Sequence, residues 1–170
     1  MQEWLETCLP NVADSFPVLQ QSILETLQMV LAAGLISFFL GVLLGTVLTV
    51  TRQNGILPNP AVYQVLDKLI NLFRSIPFII LLFCLLPLTR LLVGTAIGPL
   101  VFGTTPFFAR QIEASLWEVD PGLVEAAQAM GNSDFEIILH VYWRESIAGI
   151  ARGTTITLIS LIGLTAMAGA

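Results

Sequence analysis

The chain has 170 residues, of which 55% are hydrophobic and only 11% charged, with a mean hydropathy of +0.84. A soluble domain of this size carries about 25% charged residues, so too few charges remain to cover a water-facing surface. The net charge of −5 excludes a nucleic-acid binder, whose partner's phosphates demand clustered Lys and Arg.

The first 25 residues hold Glu3, Glu6, Asp14 and Glu25 and no Lys or Arg. They lack the basic start of a secretory signal peptide. Residues 1–21 read as an external polar tail and 22–170 as a transmembrane domain. Cys8 falls in the tail and Cys84 inside an apolar run, so no disulfide is expected. Metal-ligand spacing is absent, His140 is the only histidine, and no metal or cofactor is expected.

A spanning helix needs roughly 20 mostly apolar residues. Leu27 to Val50 meets this without a charge, bounded by Glu25 and Arg52. Gly41 and Gly45 within it form a small-xxx-small pair, read as ordinary bundle packing with dimerisation as the alternative. Thr51 to Ala61 carries Asn-Gly and two prolines, which is turn chemistry. A second run extends from Ser75 to Val93, interrupted by Pro77, Pro87 and Arg90. Asp67 and Lys68 before it read as a solvated or interfacial pair.

The third run, Pro99 to Ala109, is about half the length a span requires. Extending it to Leu116 takes in Arg110 and Glu113, which can pair at i, i+3; the helix is therefore partly interfacial or residues are missing before Pro99. The fourth run, Gly149 to Ala170, is rich in Gly, Ala, Ser and Thr. Helices of that composition pack against others or line a pathway rather than face lipid. Thr157, Ser160, Thr165 and Met167 are the candidate pathway or gate residues, with helix packing as the alternative. Arg74, at the mouth of the second run, could meet a carboxylate substrate or anchor the helix by snorkelling.

Placing the N-terminus outside puts Arg52, Lys68, Arg74, Arg110, Arg144 and Arg152 inside, six of the seven basic residues. The opposite orientation puts one inside, so the charge rule favours the first.

Between the third and fourth runs lies a polar-flanked loop read as two short helices hinged at a glycine. Asp120 caps the first, with Pro121 at its first position. Leu123, Ala126, Ala127 and Met130 fall at i, i+3, i+4 and i+7 as one apolar stripe. Gly131 sits where a helix terminus favours a left-handed residue. Ser133 to Glu136 matches a capping box, and Phe135, Ile138, Leu139 and Tyr142 form the second stripe. A helix–glycine–helix elbow with small residues suits docking into a groove on a partner, with Glu125 offering a charge; packing along the membrane surface is the alternative.

Glu125-Ala126-Ala127-x-x-x-Gly131 resembles the EAA loop of bacterial ABC-importer permeases, the coupling helix that inserts into a cleft on an ATPase. Asn71 to Ile80 (NLFRSIPFII), Pro106 to Arg110 (PFFAR) and Thr154 to Ile159 (TTITLI) resemble the methionine-uptake members. The resemblance runs from about Leu24 to Ala170. It implies an all-α polytopic bundle with about four spans here and five in the family, in a bacterial inner membrane. It further implies a homodimer embedded in membrane lipid, with two cytoplasmic ATPase subunits and an external substrate-binding lipoprotein. The ATPase-coupling residues carried over are Glu125, Ala126, Ala127, Met130, Gly131 and Phe135. Trp143-Arg144 stands where family members usually have Leu-Pro, and Ala148 where they have a second proline. A stretch of about half a dozen residues is expected between Gly98 and Pro99, and a last helix with a basic tail after Ala170.

The expected function is the permease subunit of an ATP-driven importer for methionine or a closely related amino acid. The alternatives are a permease for another amino acid or a dipeptide, or an ion-coupled secondary transporter. No phosphate-binding G-x-x-x-x-G-K-[ST] loop occurs, so ATP hydrolysis is assigned to a separate subunit and the chain is not an enzyme.

Overall fold

A computed structural model describes residues 10–92 and 96–168, and all of its described regular elements are helical. Cys8, the tail carboxylates Glu3, Glu6 and Asp14, and the Arg90 side chain lie outside the described residues or side chains.

The uncharged run from Leu27 extends in both directions into α1, Pro10–Thr51. Its 42 residues reach about 63 Å at 1.5 Å per residue, twice the ~30 Å hydrocarbon core of a bilayer. The boundary drawn at residues 21 and 22 therefore falls inside one continuous helix. Its last turn is closed by threonines, with the Thr49 and Thr51 hydroxyls donating to the carbonyls of Gly45 and Val47 at 2.9 and 2.7 Å. The chain then reverses through the Asn54-Gly55 turn, with Leu57 N–H donating to Val50 O at 3.0 Å.

Asn59 caps α2, Pro60–Ser75, by accepting from Val62 N–H, and Pro60 occupies the first helical turn. This amphipathic helix buries Ile70 against Leu48 and Ala109, with Tyr63 and Leu66 alongside. It ends at Ile76, whose extended backbone precedes Pro77, as the clash with a proline ring requires. The axis then bends by 95° into α3, Phe78–Leu92. Pro77 thus stands at a break between two helices rather than at a kink within one.

α4, Ile97–Trp117, is the interior helix. Leu100, Phe108, Ala109, Ile112 and Leu116 are each at most 1% exposed. The short apolar run is continued by Arg110 to Trp117 into one helix, which α1 and α8 (Ile147–Ala168) cover. Glycines set the approach: a Cβ on Gly45 would lie 2.6 Å from Ile112 Cβ and 2.7 Å from Ala109 O. On the other side a Cβ on Gly149 would meet Ser115 Cβ at 2.8 Å. The Gly41/Gly45 pair thus serves packing within this chain. By length and apolarity α1 and α8 qualify as spans, and the bent α2–α3 pair would add a third. α4 has the length but not the apolarity, so the expected count of about four rests on its burial among the others.

α4 carries two charges inward because they are paired. Arg110 bonds Glu113 at 2.6 Å, Asn71 Oδ1 at 3.0 Å and the carboxylate of Asp67. The expected Asp67–Lys68 pair is corrected here. Asp67 and Asn71 lie four apart and share the α2 face turned to α4, whereas Lys68 is exposed.

Gly45→Val is expected to cost about 1–3 kcal/mol through overpacking against Ile112. Gly163, where a Cβ meets nothing within 4 Å, is the control, and Gly163→Ala should be neutral or stabilising. Thermal unfolding of the detergent-purified variants separates them; equal midpoints would refute the close-approach account.

Candidate functional site

The loop after α4 folds through local rules. Asp120 Oδ1 accepts from Gly122 N–H at 2.8 Å, opening α5, Pro121–Ala129. At its other end Gly131 has φ +83, its N–H donates to Gln128 O at 3.0 Å, and Asn132 N–H donates to Ala127 O at 3.2 Å. That paired closure requires a left-handed residue, which a β-carbon disfavours by about 1–2 kcal/mol. Ser133 then begins α6, Asp134–Ile137, with a complete capping box: Ser133 N–H donates to Glu136 Oε2 at 2.8 Å and Glu136 N–H to Ser133 Oγ at 3.4 Å. These bonds to Ser133 hold the Glu136 carboxyl below its ordinary 4.5.

The second helix does not stay α-helical. Ile138–Tyr142 is a π-helical turn, closed by Trp143 N–H to Ile138 O, before α7, Trp143–Glu145, and then α8. The wider turn changes which side chains share a face. Ile137 and Tyr142, five apart, are buried together, while Phe135 is 68% exposed and Ile138 and Leu139 are half-buried. The stripe expected at Phe135, Ile138, Leu139 and Tyr142 is corrected accordingly. In α5 the inward pair is Val124 and Ala127, so the expected stripe of Leu123, Ala126, Ala127 and Met130 divides. Ala127 turns in, and Leu123, Ala126 and Met130 turn out.

The inner face of the elbow (Val124, Ala127, Ile137, Tyr142) packs on Phe108, Ile112 and Leu116 of α4. The outer face presents Leu123, Glu125, Ala126, Met130 at 74% exposure and Phe135. Five of the six proposed coupling residues, Glu125, Ala126, Met130, Gly131 and Phe135, therefore share the open surface, and Ala127 anchors it from beneath. A cavity of about 490 Å³ lies beside them, lined by Asn54, Trp117, Glu125, Gln128 and Tyr142. Above Trp117, the Arg52 guanidinium sits 4.0 Å from the ring centroid, tying the first loop to the base of the elbow.

The four pathway candidates do not converge. Thr157 and Thr165 are buried on the inner face of α8, their hydroxyls donating to Gly153 O and Ile162 O at 2.8 and 2.7 Å. Ser160 and Met167 face outward. Ser160 lines a cavity of about 380 Å³ together with Arg74, Phe78, Thr104 and Phe107. Thr104 Oγ1 is buried there without a hydrogen-bond partner. Sequence reasoning missed Thr104 and the Arg110–Asp67–Asn71 link; the i, i+4 spacing of Asp67 and Asn71 on one face of an amphipathic helix was the available signal for the latter.

The depressed Glu136 carboxyl fixes a pH response. The cap it makes is fully present above its ordinary 4.5 and is lost as pH falls through the lower folded value. Amide exchange at Ser133 should therefore accelerate only below that value, and Ser133→Ala should raise exchange at Glu136 about fivefold at neutral pH. An acid transition at or above the ordinary value would refute this.

The family described as binding-protein-dependent transport system inner membrane component matches residues 37–170. The D-methionine transport system permease protein MetI of Yersinia pestis is 45% identical over 158 residues, covering 89% of this chain and 73% of that protein. The protein of the same name from Escherichia coli K12 is 42% identical over the same length and shares. Among solved structures, the MetNI methionine ABC transporter in an inward-facing conformation superposes with a TM-score of 0.88 at 41% identity, over 92% of this chain and 75% of that one. An amino acid ABC transporter with histidines shares the fold, with a TM-score of 0.73 at 19% identity over 93% of this chain and 73% of that one. On the match over 37–170 and the identity to permeases of which it spans about three quarters, the chain belongs to the family of inner membrane components of binding-protein-dependent transport systems.

Proposed function

We propose that this chain is the permease of an ATP-driven importer of methionine or a closely related amino acid, and that its elbow is the surface gripped by a separate ATPase. The observation that carries the coupling role is the outward face of Leu123, Glu125, Ala126, Met130 and Phe135 on a doubly capped elbow whose inner face is fixed to α4. A surface of exposed apolar side chains around one carboxylate, on a rigid base, is suited to a groove that offers a cation. The relatives named for D-methionine and the MetNI superposition support the substrate class.

Closure of two ATPase subunits would push on the elbow, and the packed contact with Phe108, Ile112 and Leu116 would pass the displacement to α4. Rocking of a packed bundle between two arrangements is a bistable element biased by a ligand bound elsewhere. The external lipoprotein would supply substrate at the opposite face. The orientation we adopt puts the elbow in the cytoplasm and the N-terminal segment outside. In its support, Arg52, Lys68, Arg74, Arg144 and Arg152 lie on α2, in the loops, or within the elbow and the first turns after it, and Arg110 lies in the half of α4 nearer the elbow, the distribution expected of a cytoplasmic face. For the pathway we favour the outward side of α8 bearing Ser160, with Arg74 able to meet a substrate carboxylate in the cavity both line.

Co-purification of the cognate ATPase with Glu125→Lys should fall at least tenfold, since it reverses the charge offered at an exposed site. Gly131→Val should weaken capture as well, by straining the left-handed hinge. Glu118→Gln, outside the elbow's outer face, should leave capture unchanged. Normal capture and normal substrate-stimulated ATP hydrolysis in both elbow variants would refute the docking assignment.

A further inference from the structure

A second surface lies between the exit of the elbow and α1. Phe38, Phe39, Val42 and Leu43 of α1 and Leu139, Ile147 and Ile150 beyond it enclose an apolar groove of about 720 Å³. Its rim is Trp143 and Arg144, the two residues that replace the expected Leu-Pro. The Trp143 indole N–H donates to Thr46 Oγ1 at 3.1 Å, which fixes the ring five residues before the end of α1, about 8 Å from that end. A Trp ring and an Arg side by side near the end of a spanning helix are the residue types that anchor in the interfacial zone of a bilayer.

Two observations select the occupant. Leu27, Leu31, Leu35, Phe39 and Leu43 recur every four residues along α1, and each is more than half exposed. This ridge covers about 24 Å and runs into the groove, so an acyl chain entering the groove could lie along it. The exposed side of α8 mixes Thr155, Ser160 and Gly163 with Ile159, Ile162 and Met167, and no comparable unbroken ridge runs along it into the groove. Arg144 supplies the polar part. Among the described residues the ion pairs are Arg110–Asp67, Arg110–Glu113 and Arg152–Glu118, which leaves Arg144 exposed with no carboxylate.

We propose that this groove binds an anionic phospholipid of the leaflet on the elbow's side, with one acyl chain between Phe39, Leu43 and Ile147 and the headgroup phosphate on Arg144. Because the groove is walled by α1 on one side and by the elbow's exit through Trp143 on the other, an occupied groove would hold the elbow to the bilayer surface.

The full chain, reconstituted in phosphatidylcholine vesicles, tests this through the fluorescence of Trp143, isolated as the difference between wild type and Trp143→Phe. Brominated phosphatidylglycerol should quench it at about fivefold lower mole fraction than brominated phosphatidylcholine, the equivalent of ~1 kcal/mol for one cation at an anionic lipid. Arg144→Gln should bring the two lipids level, Arg144→Lys should keep most of the preference, and Arg152→Gln should keep all of it. Equal quenching by both lipids in wild type would overturn the proposal, as would a preference unchanged in Arg144→Gln. Absence of quenching by either lipid, together with disulfide formation between copies bearing Phe39→Cys and Ile147→Cys, would assign the groove to a second copy and overturn it equally. None of these readouts depends on ATPase capture, so failure of the docking assignment leaves the lipid site standing, and the reverse.

Discussion

The close approach of α1 and α8 to α4 is the constraint on which the rest of the molecule depends. Gly45 admits the Ile112 side chain and the Ala109 carbonyl to distances no β-carbon tolerates, and Gly149 does the same for Ser115 on the opposite side. In a bilayer the apolar environment of the tails offers helices little reason to associate, and association rests on van der Waals fit and interhelical polar contacts. Both are present: the Phe38 ring stacks on Phe108 with centroids 5.6 Å apart, and buried Thr105 donates to Ser37 at 3.3 Å. The helix with the poorest claim to a place in lipid is thereby made the centre of the bundle.

Burial of α4 explains both its charges and its reach. Arg110 and Glu113 survive inside because each has a partner, and Asp67 and Asn71 bring a second carboxylate and an amide oxygen from α2. Removing one member would strand the others, which is the costly case for buried charge. The same helix continues to Trp117 and ends beneath the elbow, so its Phe108, Ile112 and Leu116 touch both the bundle and the elbow's inner face. A displacement of the elbow has a packed route into the membrane domain and needs no flexible linker.

The elbow separates two requirements that a single helix could not meet. In the coupling role proposed for it, its outer face stays apolar and accessible while its inner face is held on α4. Two caps within a few residues, the Gly131 closure and the Ser133–Glu136 box, set the angle between α5 and α6. The π turn that follows rotates Tyr142 inward and brings Trp143 to Thr46. Trp143 is thereby tied to α1, and with Arg144 it borders the apolar groove there rather than packing on α5.

Membrane character, the helical runs, the Asp120 cap, the Gly131 hinge and the Ser133 capping box were legible in the sequence by itself. These depend on composition or on interactions spanning at most five residues. Charge placement gave the orientation adopted for the same reason, since the counts need no knowledge of packing. Only the tertiary structure decided that Ala127 turns in while Met130 turns out, because a nine-residue helix with apolar groups on two sides has no periodicity that prefers one. It alone decided that Asp67 meets Arg110, 43 positions away, and that Trp143 meets Thr46, 97 positions away. Both pairings require α4 and the elbow to be already seated on α1, and that seating is fixed by glycine surfaces whose partners no local pattern names.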